Sequence, residues 1–332
     1  MMNFRFALAT VALLGAPVAL PAQDGELHVL VITGLSGEPS FAASFATAGG
    51  ALIEAACGPW GVNDSSVVWL AEDPARDRQR IGGRATRGAI DTAFARLAAR
   101  SKRGDVVAVI LIGHGSSQGA ESRLSLPGAD PTAADYSRWL DRLPGRTVVA
   151  VVAASGSGDF LPVLARPGRI VITATRSSTE RNESYFGSRF AHGLASLEAD
   201  GDKDGRVSVL EAFAYAQREV AAAYQADGRL QTEHAQLDDD GDGRGTASPG
   251  AEGTSDGVLS RRVTFGKAAA VSDPRVATLL TQRRELETQV EALRRRKDSM
   301  TEAAYLAELE RLLVQIAERT QAIRAVVPAR RP

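Results

Sequence analysis

Residues 105–119, DVVAVILIGHGSSQG, decide how the rest of this 332-residue chain is interpreted. Residues 106–112 form an unbroken apolar run rich in β-branched side chains. Such a run predicts a strand buried on both faces, as in the middle of a parallel sheet. It ends at Gly113-His114-Gly115. Because open α/β sheets place their chemistry beyond the carboxyl ends of the strands, His114 is a candidate functional residue.

A second stretch has the same design. Residues 147–154, TVVAVVAA, predict another buried strand, and it ends in a Ser-Gly-Ser-Gly segment that begins at Ser155. If the two strands are neighbours, His114 and Ser155 lie side by side at one edge of the sheet. The alternative is that both segments are only tight turns after core strands.

The remaining patterns alternate between strands and helices. Further strands are predicted at residues 26–33, 66–70 and 169–173. Helices are predicted at residues 41–56, 87–100, 131–143 and 160–164, with Thr86 and Thr132 as N-caps of the second and third. This alternation predicts an α/β fold whose mostly parallel sheet carries helices on both faces.

Composition is that of a soluble globular protein, with 44% hydrophobic and 24% charged residues. The net charge of -1 argues against a general nucleic-acid binder. Arg5, the apolar residues 6–20 and the small Ala22 predict a signal peptide over residues 1–22, and export to the periplasm or the extracellular space. The apolar run is too short and too interrupted for a membrane span, so none is expected after cleavage.

Cys57 is the only cysteine, so the chain has no intramolecular disulfide. It lies in a helical pattern, which predicts a buried and inert thiol.

Residues 200–211, DGDKDGRVSVLE, match the twelve-residue calcium loop of an EF-hand. The oxygen ligands would be Asp200, Asp202, Asp204, the carbonyl of Arg206, Ser208 and, as the closing bidentate ligand, Glu211. Gly205 permits the sharp turn at position six. Helices are predicted on either side, so the EF-hand spans about residues 190–224. Calcium is therefore the expected cofactor, and a solvated acidic turn is the alternative.

Residues 237–244, LDDDGDGR, begin in the same way with Asp238, Asp240 and Asp242. Position twelve is Pro249 rather than an acid, and Glu252 comes three residues late. Crowded aspartates repel one another unless a cation lies among them. The acidic loop 238–252 is either a non-standard second metal site or a solvated turn.

Residues 26–266 resemble the clan of cysteine peptidases that includes caspases and legumain, and most closely the bacterial secreted legumain-like proteins. The resemblance rests on the strand that ends in His114-Gly115, on ASGSG at 154–158, which corresponds to the family's Ala-Cys-x-Ser-Gly, and on residues 174–184. It implies a caspase-like α/β domain over residues 24–266 and a histidine–cysteine dyad. Here Ser155 stands at the position of the cysteine.

The serine at position 155 makes peptidase activity depend on further groups. A histidine can hold a thiol as its thiolate, whereas a serine hydroxyl needs an oriented base and an oxyanion hole. The backbone amides of Gly115 and Ser155 are candidates for the hole. Asp105 lies at the wrong end of its strand to orient the histidine, which leaves Glu121 and Asp159 as candidates.

Residues 267–332 predict a C-terminal helical hairpin or interrupted coiled coil. Ser272-Asp273-Pro274 is a helix start. Apolar residues then recur at three- and four-residue spacings, at positions 279, 286, 290, 293, 305, 309, 312, 316 and 323. They must pack on themselves, on the main domain or on another chain, so self-association is one expectation.

Three functions fit these patterns. The first is a calcium-binding, non-catalytic peptidase homologue that binds a protein or peptide partner in its cleft. The second is a hydrolase with Ser155 as nucleophile and His114 as base, in which Arg84, Arg87 or Arg176 attracts an acidic side chain. The third is a scaffold whose helical tail mediates assembly.

Overall fold

The computed structural model describes residues 25–118, 121–143, 145–251, 253–266 and 274–326. The predicted signal peptide, and Ser272 and Asp273 of the predicted helix start, lie outside the described residues. The strands are β1 (Leu27–Thr33), β2 (Val67–Ala71), β3 (Gly83–Arg84), β4 (Val106–Gly113), β5 (Gly115–Gln118), β6 (Glu121–Leu124), β7 (Thr147–Ala154), β8 (Arg169–Thr173), β9 (Val207–Ser208), β10 (Gln236–Asp238) and β11 (Thr264–Phe265). The helices are α1 (Pro39–Cys57), α2 (Arg87–Arg100), α3 (Ala133–Leu140), α4 (Leu161–Leu164), α5 (Phe186–Ala195), α6 (Val209–Ala226), α7 (Val258–Arg262), α8 (Pro274–Arg295) and α9 (Glu302–Val326).

The predicted α/β class is confirmed. A seven-stranded sheet has the order β10-β8-β7-β4-β1-β2-β3. All its strands run parallel except β10, which pairs antiparallel with β8 at the edge. The long apolar strands β4, β1 and β7 occupy the middle of the sheet, where both faces are covered.

Helices cover both faces of the sheet. Val29 and Val31 of β1 belong to the apolar cluster that also contains side chains of α1, α5 and α6. Leu30 and Ile32 of the same strand belong to the opposite cluster, with side chains of α2 and α3. This alternation follows from the two-residue period of a strand, and it explains why β1 reads as a continuous apolar run.

α1 is a core helix of 19 residues. By length and a mean hydropathy of 1.2 it could cross a bilayer, but Leu52 and Ala56 are fully buried in the core. It approaches the sheet closely, because a Cβ on Gly49 would lie 2.6 Å from the Trp69 ring. The prediction of a buried thiol is wrong: Cys57, the last residue of α1, is exposed.

The predicted N-caps are confirmed. Thr86 caps α2 by accepting a hydrogen bond from the Ala89 amide. Thr132 forms a reciprocal capping box with Asp135 at the start of α3, which is shorter than predicted.

Short elements that depend on distant contacts differ from the prediction. The β5–β6 hairpin and β10 were not predicted. Residues 258–262, for which no helix was predicted, form α7, and residues 264–265 form the short strand β11. The carboxylate of Asp239 accepts hydrogen bonds from the amides of Gly257 and Ser260, at 2.9 and 2.7 Å, and so fixes this helical turn from 18 or more residues away. The local spacing of apolar residues does not reveal a contact with a carboxylate so far away in the sequence.

α8 and α9 pack against each other. Among the described residues, their buried and partly buried apolar side chains form two clusters that draw on these helices and their connection: Leu286, Val290, Leu293, Met300, Tyr305, Leu309, Leu312 and Ile316, and Val276, Leu279, Leu280, Ile323 and Val326. The helical hairpin therefore has a core of its own.

Candidate functional site

The first candidate site lies at the carboxyl edge of β4 and β7. These strands are parallel neighbours, and Gly113 is paired with Ala154. His114 and Ser155 are the next residues along each strand. Sheet register thus brings the two together at the edge where the sequence placed them.

The His114 ring is held in one orientation. Its Nε2 lies 3.1 Å from the carbonyl oxygen of Ser36, in the loop after β1. A carbonyl oxygen only accepts hydrogen bonds, so Nε2 carries a proton, and in the neutral imidazole Nδ1 is the nitrogen with the lone pair. The ring also contacts Phe41 edge-on, with centroids 4.7 Å apart, and Phe45 at 5.4 Å.

The loop that presents this carbonyl is itself anchored. Glu72, just after β2, accepts hydrogen bonds from the Ser36 amide at 3.0 Å and from its hydroxyl at 2.7 Å. Glu72 therefore positions Ser36, and Ser36 positions the imidazole.

Ser155 is buried and packs closely against the backbone after β4. Its Oγ accepts a hydrogen bond from the Gly115 amide at 3.3 Å. A Cβ on Gly115 would lie 2.3 Å from the Ser155 carbonyl oxygen, so only glycine fits there. The amide proposed for an oxyanion hole is therefore engaged with the hydroxyl.

The Ser-Gly pair that follows Ser155 fastens the neighbouring strand. Ser157 is fully buried, and its Oγ accepts hydrogen bonds from the amides of Ala174 and Thr175, at 3.1 and 3.3 Å. The Gly158 amide donates to the Thr175 hydroxyl at 3.0 Å, and a Cβ on Gly158 would lie 2.3 Å from backbone atoms of Arg176. These residues hold β7 and β8 together.

Glu121, one of the two candidates for a third member, is engaged elsewhere. Glu121 forms an ion pair with Arg123 on the β5–β6 hairpin. Asp105 bonds to His28 at 3.0 Å at the amino end of the sheet, as its position in the strand predicted. The group on His114 is the Ser36 carbonyl, which sequence reasoning missed because a backbone carbonyl leaves no signal in residue type.

One of the three arginines considered for substrate binding, Arg87, is engaged in an ion pair within the fold. Arg87 forms a two-pronged ion pair with Asp135 across α2 and α3, at 2.5 and 2.6 Å. This pair holds the pKa of Asp135 well below its usual range. Arg87 is therefore committed to a link between helices on one face of the sheet.

The second candidate site is the loop between α5 and α6. Carboxylate oxygens of Asp200, Asp202 and Asp204 lie within 4.8 Å of one another. Asp200 accepts hydrogen bonds from the Asp204 and Gly205 amides, at 3.1 and 3.0 Å, which curls the loop around it. Lys203 and Gly205 take the left-handed conformation that this turn requires, with φ of 61° and 82°.

The closing acid already faces the loop. Glu211 accepts hydrogen bonds from the Gly201 and Asp202 amides, at 3.0 and 3.2 Å. Its other oxygen bonds to Ser208, which caps α6. Arg206 donates its amide to Asp204 at 2.9 Å. The loop is also held to the domain, because β9 pairs with β11.

Negative charge is crowded in this loop. Burial raises the pKa of Asp202 to about 7, and Asp204 adds to the rise while Arg283 of α8 opposes it. Burial likewise raises the pKa of Asp200, against the hydrogen bond from the Gly205 amide. Carboxylates that are costly to ionise together gain from a divalent cation placed among them.

In the second acidic loop, the third carboxylate of the cluster is not the one that the sequence indicated. Carboxylate oxygens of Asp238, Asp240 and Asp256 lie within 4.8 Å of one another. Asp242 instead accepts from the Arg244 amide at 2.7 Å. Glu252 lies outside the described residues. The acid that joins the cluster comes from the start of the α7 turn, too far along the chain for loop spacing to reveal.

No protein-family model matches this chain, and no curated protein matches it. Among solved structures, the chain is similar to caspase-1 from Spodoptera frugiperda, with 13% identity and a TM-score of 0.42 over 70% of this chain and 94% of that chain. It is also similar to the Drosophila initiator caspase Dronc, with 10% identity and a TM-score of 0.40 over 68% of this chain and 83% of that chain. The fold class rests on the strand order and pairing described above, and not on these two structures.

Proposed function

We propose that this chain is a calcium-binding protein in which an EF-hand is built into a peptidase-like α/β domain. One observation carries the proposal: three aspartates spaced two residues apart converge within 4.8 Å in a loop between two helices. A fourth carboxylate, Glu211, faces the same loop from the first turn of α6. The donor set is all oxygen, which suits a hard cation such as calcium.

Calcium would act on the packing of α5 and α6. Both helices contribute side chains to the sheet's core, with the Phe186 and Phe213 rings 6.0 Å apart. A cation that neutralises the loop between them removes the repulsion at their junction. The expected consequence is a domain that is more stable with calcium bound.

Thermal unfolding with and without calcium tests this proposal. Calcium at about 100 times its Kd should stabilise the wild-type protein by about 2.7 kcal/mol and raise Tm by several degrees. Glu211→Gln should lose most of the shift, whereas Glu310→Gln, on an exposed part of α9, should keep it. An equal shift in wild type and Glu211→Gln would place calcium elsewhere.

We further propose that the edge at His114 and Ser155 binds a peptide or protein without cleaving it. His114 is oriented by the Ser36 carbonyl, which fixes the ring but carries no full charge to stabilise an imidazolium. In the Ser-His-Asp triad of serine hydrolases, the group that orients the histidine is a carboxylate. The Gly115 amide, moreover, is bonded to Ser155 Oγ at 3.3 Å. Such a histidine suits a thiol, which ionises readily, better than a hydroxyl.

A hydrolase with Ser155 as nucleophile is the second candidate. It is favoured by the His114 tautomer, whose free Nδ1 can accept a proton. Labelling with a fluorophosphonate probe distinguishes the hydrolase from the binding site. The probe is applied, with calcium present, to wild type, Ser155→Ala and His114→Ala. The binding proposal predicts no specific labelling in any of them. Labelling that disappears in both variants would establish the hydrolase.

The third proposal concerns assembly through the helical hairpin. Leu306, Leu313 and Val314 are about half exposed (49%, 49% and 52%), and the first two are one heptad apart on α9. This stripe is a candidate for self-association. Light scattering of the full chain and of Leu306→Gln/Leu313→Gln should show an oligomer that the double variant loses. A monomeric wild type would exclude the proposal.

We also propose that the chain works outside the cytoplasm, in the periplasm or beyond. The support is the arrangement of Arg5, the apolar residues 6–20 and Ala22 in the sequence. Amino-terminal sequencing of the exported product should begin near Gln23. A product that retains residues 1–22 and stays in the cell would contradict export.

A further inference from the structure

The positively charged side chain of Arg283, in the helical hairpin, contacts the proposed calcium loop, residues 200–211. Arg283 of α8 is only 2% exposed. Its guanidinium donates to the Asp202 carboxylate at 2.5 Å and to the Asp202 backbone carbonyl at 2.9 Å. These contacts join positions 81 residues apart and are not used by the function proposed above.

We propose that Arg283 is a built-in competitor of calcium, so that calcium binding loosens the docking of the hairpin onto the loop. Docking of the hairpin weakens calcium binding in return, because coupling between two binding events is reciprocal. This inference rests on the proposed calcium function of the same loop.

Asp202 makes the competition direct. It stands at position three of the loop, where a carboxylate oxygen would bind the ion. One of its oxygens accepts from the Asp204 amide at 3.1 Å, and the other is taken by Arg283. A guanidinium has no lone pair to offer a metal, and its positive charge repels a second cation a few ångströms away.

Arg283 can relieve that repulsion only by moving. An arginine stays protonated throughout the accessible pH range, so it cannot give up its charge. Glu287, one turn further along α8, lies 3.3 Å from Arg283 Nε and remains a partner when Asp202 is taken by calcium. The arginine therefore has an alternative to the loop within its own helix.

The hairpin can move without unfolding. As far as the structure describes the hairpin, its two apolar clusters consist of its own residues and are separate from the clusters on the sheet. Its contact with the calcium loop through Arg283 is polar, and the strength of polar contacts depends on the charges around them. A change of charge in the loop therefore acts on docking, while the helix pair stays intact.

Calcium titration of the full chain and of Arg283→Gln tests the competition, with Arg311→Gln as the matched control. Arg311 is an exposed arginine of the same hairpin and is paired with Glu308. Removing the competing charge should tighten calcium binding about tenfold in Arg283→Gln, since loop charge sets affinity in such sites, and leave Arg311→Gln unchanged. Binding by Arg283→Gln but not by wild type would support the inference more strongly still.

Two negative results are distinguishable. Equal affinity in wild type and Arg283→Gln, or weaker binding in the variant, would overturn the inference and leave the calcium function standing. No binding to any of the three proteins would overturn both.

A distance measurement tests the movement itself. Cys57 is exposed and unique, so it can carry one spin label, and Ala303→Cys places a second on an exposed position of α9. Calcium should change the distance distribution in the doubly labelled chain, and Arg283→Gln should lose this response. An unchanged distribution in a protein that demonstrably binds calcium would overturn the inference.

Discussion

The two candidate sites are built in opposite ways. The acidic loop at residues 200–211 takes its candidate ligand groups from twelve consecutive residues, and most of them are side chains. The edge at His114 is assembled from segments about 40 and 80 residues apart, and two of its decisive groups are backbone atoms, the Ser36 carbonyl and the Gly115 amide. Substitutions in the loop should therefore change ligand affinity first, whereas substitutions at the edge should disturb the fold first.

The largest effect on stability is expected from Gly115→Ala at the edge. The added Cβ would lie 2.3 Å from the Ser155 carbonyl oxygen, so backbone must shift, at a cost of about 3 kcal/mol. Gly88→Ala, at an exposed position of α2, is the control, because its Cβ would meet nothing within 4 Å. It should be neutral or slightly stabilising. Urea unfolding that ranks both variants equally would contradict the close packing of this edge.

A smaller effect is expected from Glu72→Ala. The substitution removes two charge-assisted hydrogen bonds to Ser36, and should cost about 2 kcal/mol of unfolding free energy. Because Ser36 orients His114, the imidazole should also become more mobile, which NMR relaxation of the ring can detect. If the variant is destabilised but the mobility of the His114 ring is unchanged, Glu72 does not position His114.

The smallest effect is expected from Ser208→Ala in the loop. Ser208 accepts the Glu211 amide at 3.2 Å as the N-cap of α6, and losing a cap costs about 1 kcal/mol. The measurement is thermal unfolding without calcium. A cost above that of Glu72→Ala would mean that the loop supports the fold as much as the edge does, and would remove the contrast between the two sites.

Much of this architecture follows from local sequence. The continuous apolar runs of β4 and β7 predict doubly covered strands because both faces of a central parallel strand are buried. The spacing of Asp200, Asp202 and Asp204 is equally local, since a short loop that wraps a calcium ion supplies oxygens from alternate residues. Thr86 and Thr132 cap helices through neighbouring residues, and their roles were predicted for that reason.

The rest depends on contacts between distant segments. The carbonyl of Ser36 and the approach of Arg283 to Asp202 leave no sign in residue spacing. Asp256 joins the second acidic cluster because the α7 turn brings it back, and α7 is itself fixed by the distant Asp239. The burial of Cys57 was predicted from helical spacing, but the residue ends α1 and the chain turns away after it, which leaves the thiol in solvent.

The central claim is that residues 200–211 bind calcium, and calorimetric titration of the mature protein tests it most directly. The comparison is with the double variant Asp200→Ala/Glu211→Ala, which lacks the first and last ligands of the loop. Wild type should bind calcium with measurable heat, and the double variant should lose that binding while remaining folded by circular dichroism. No binding to wild type, or the same binding isotherm for both proteins, would contradict the claim.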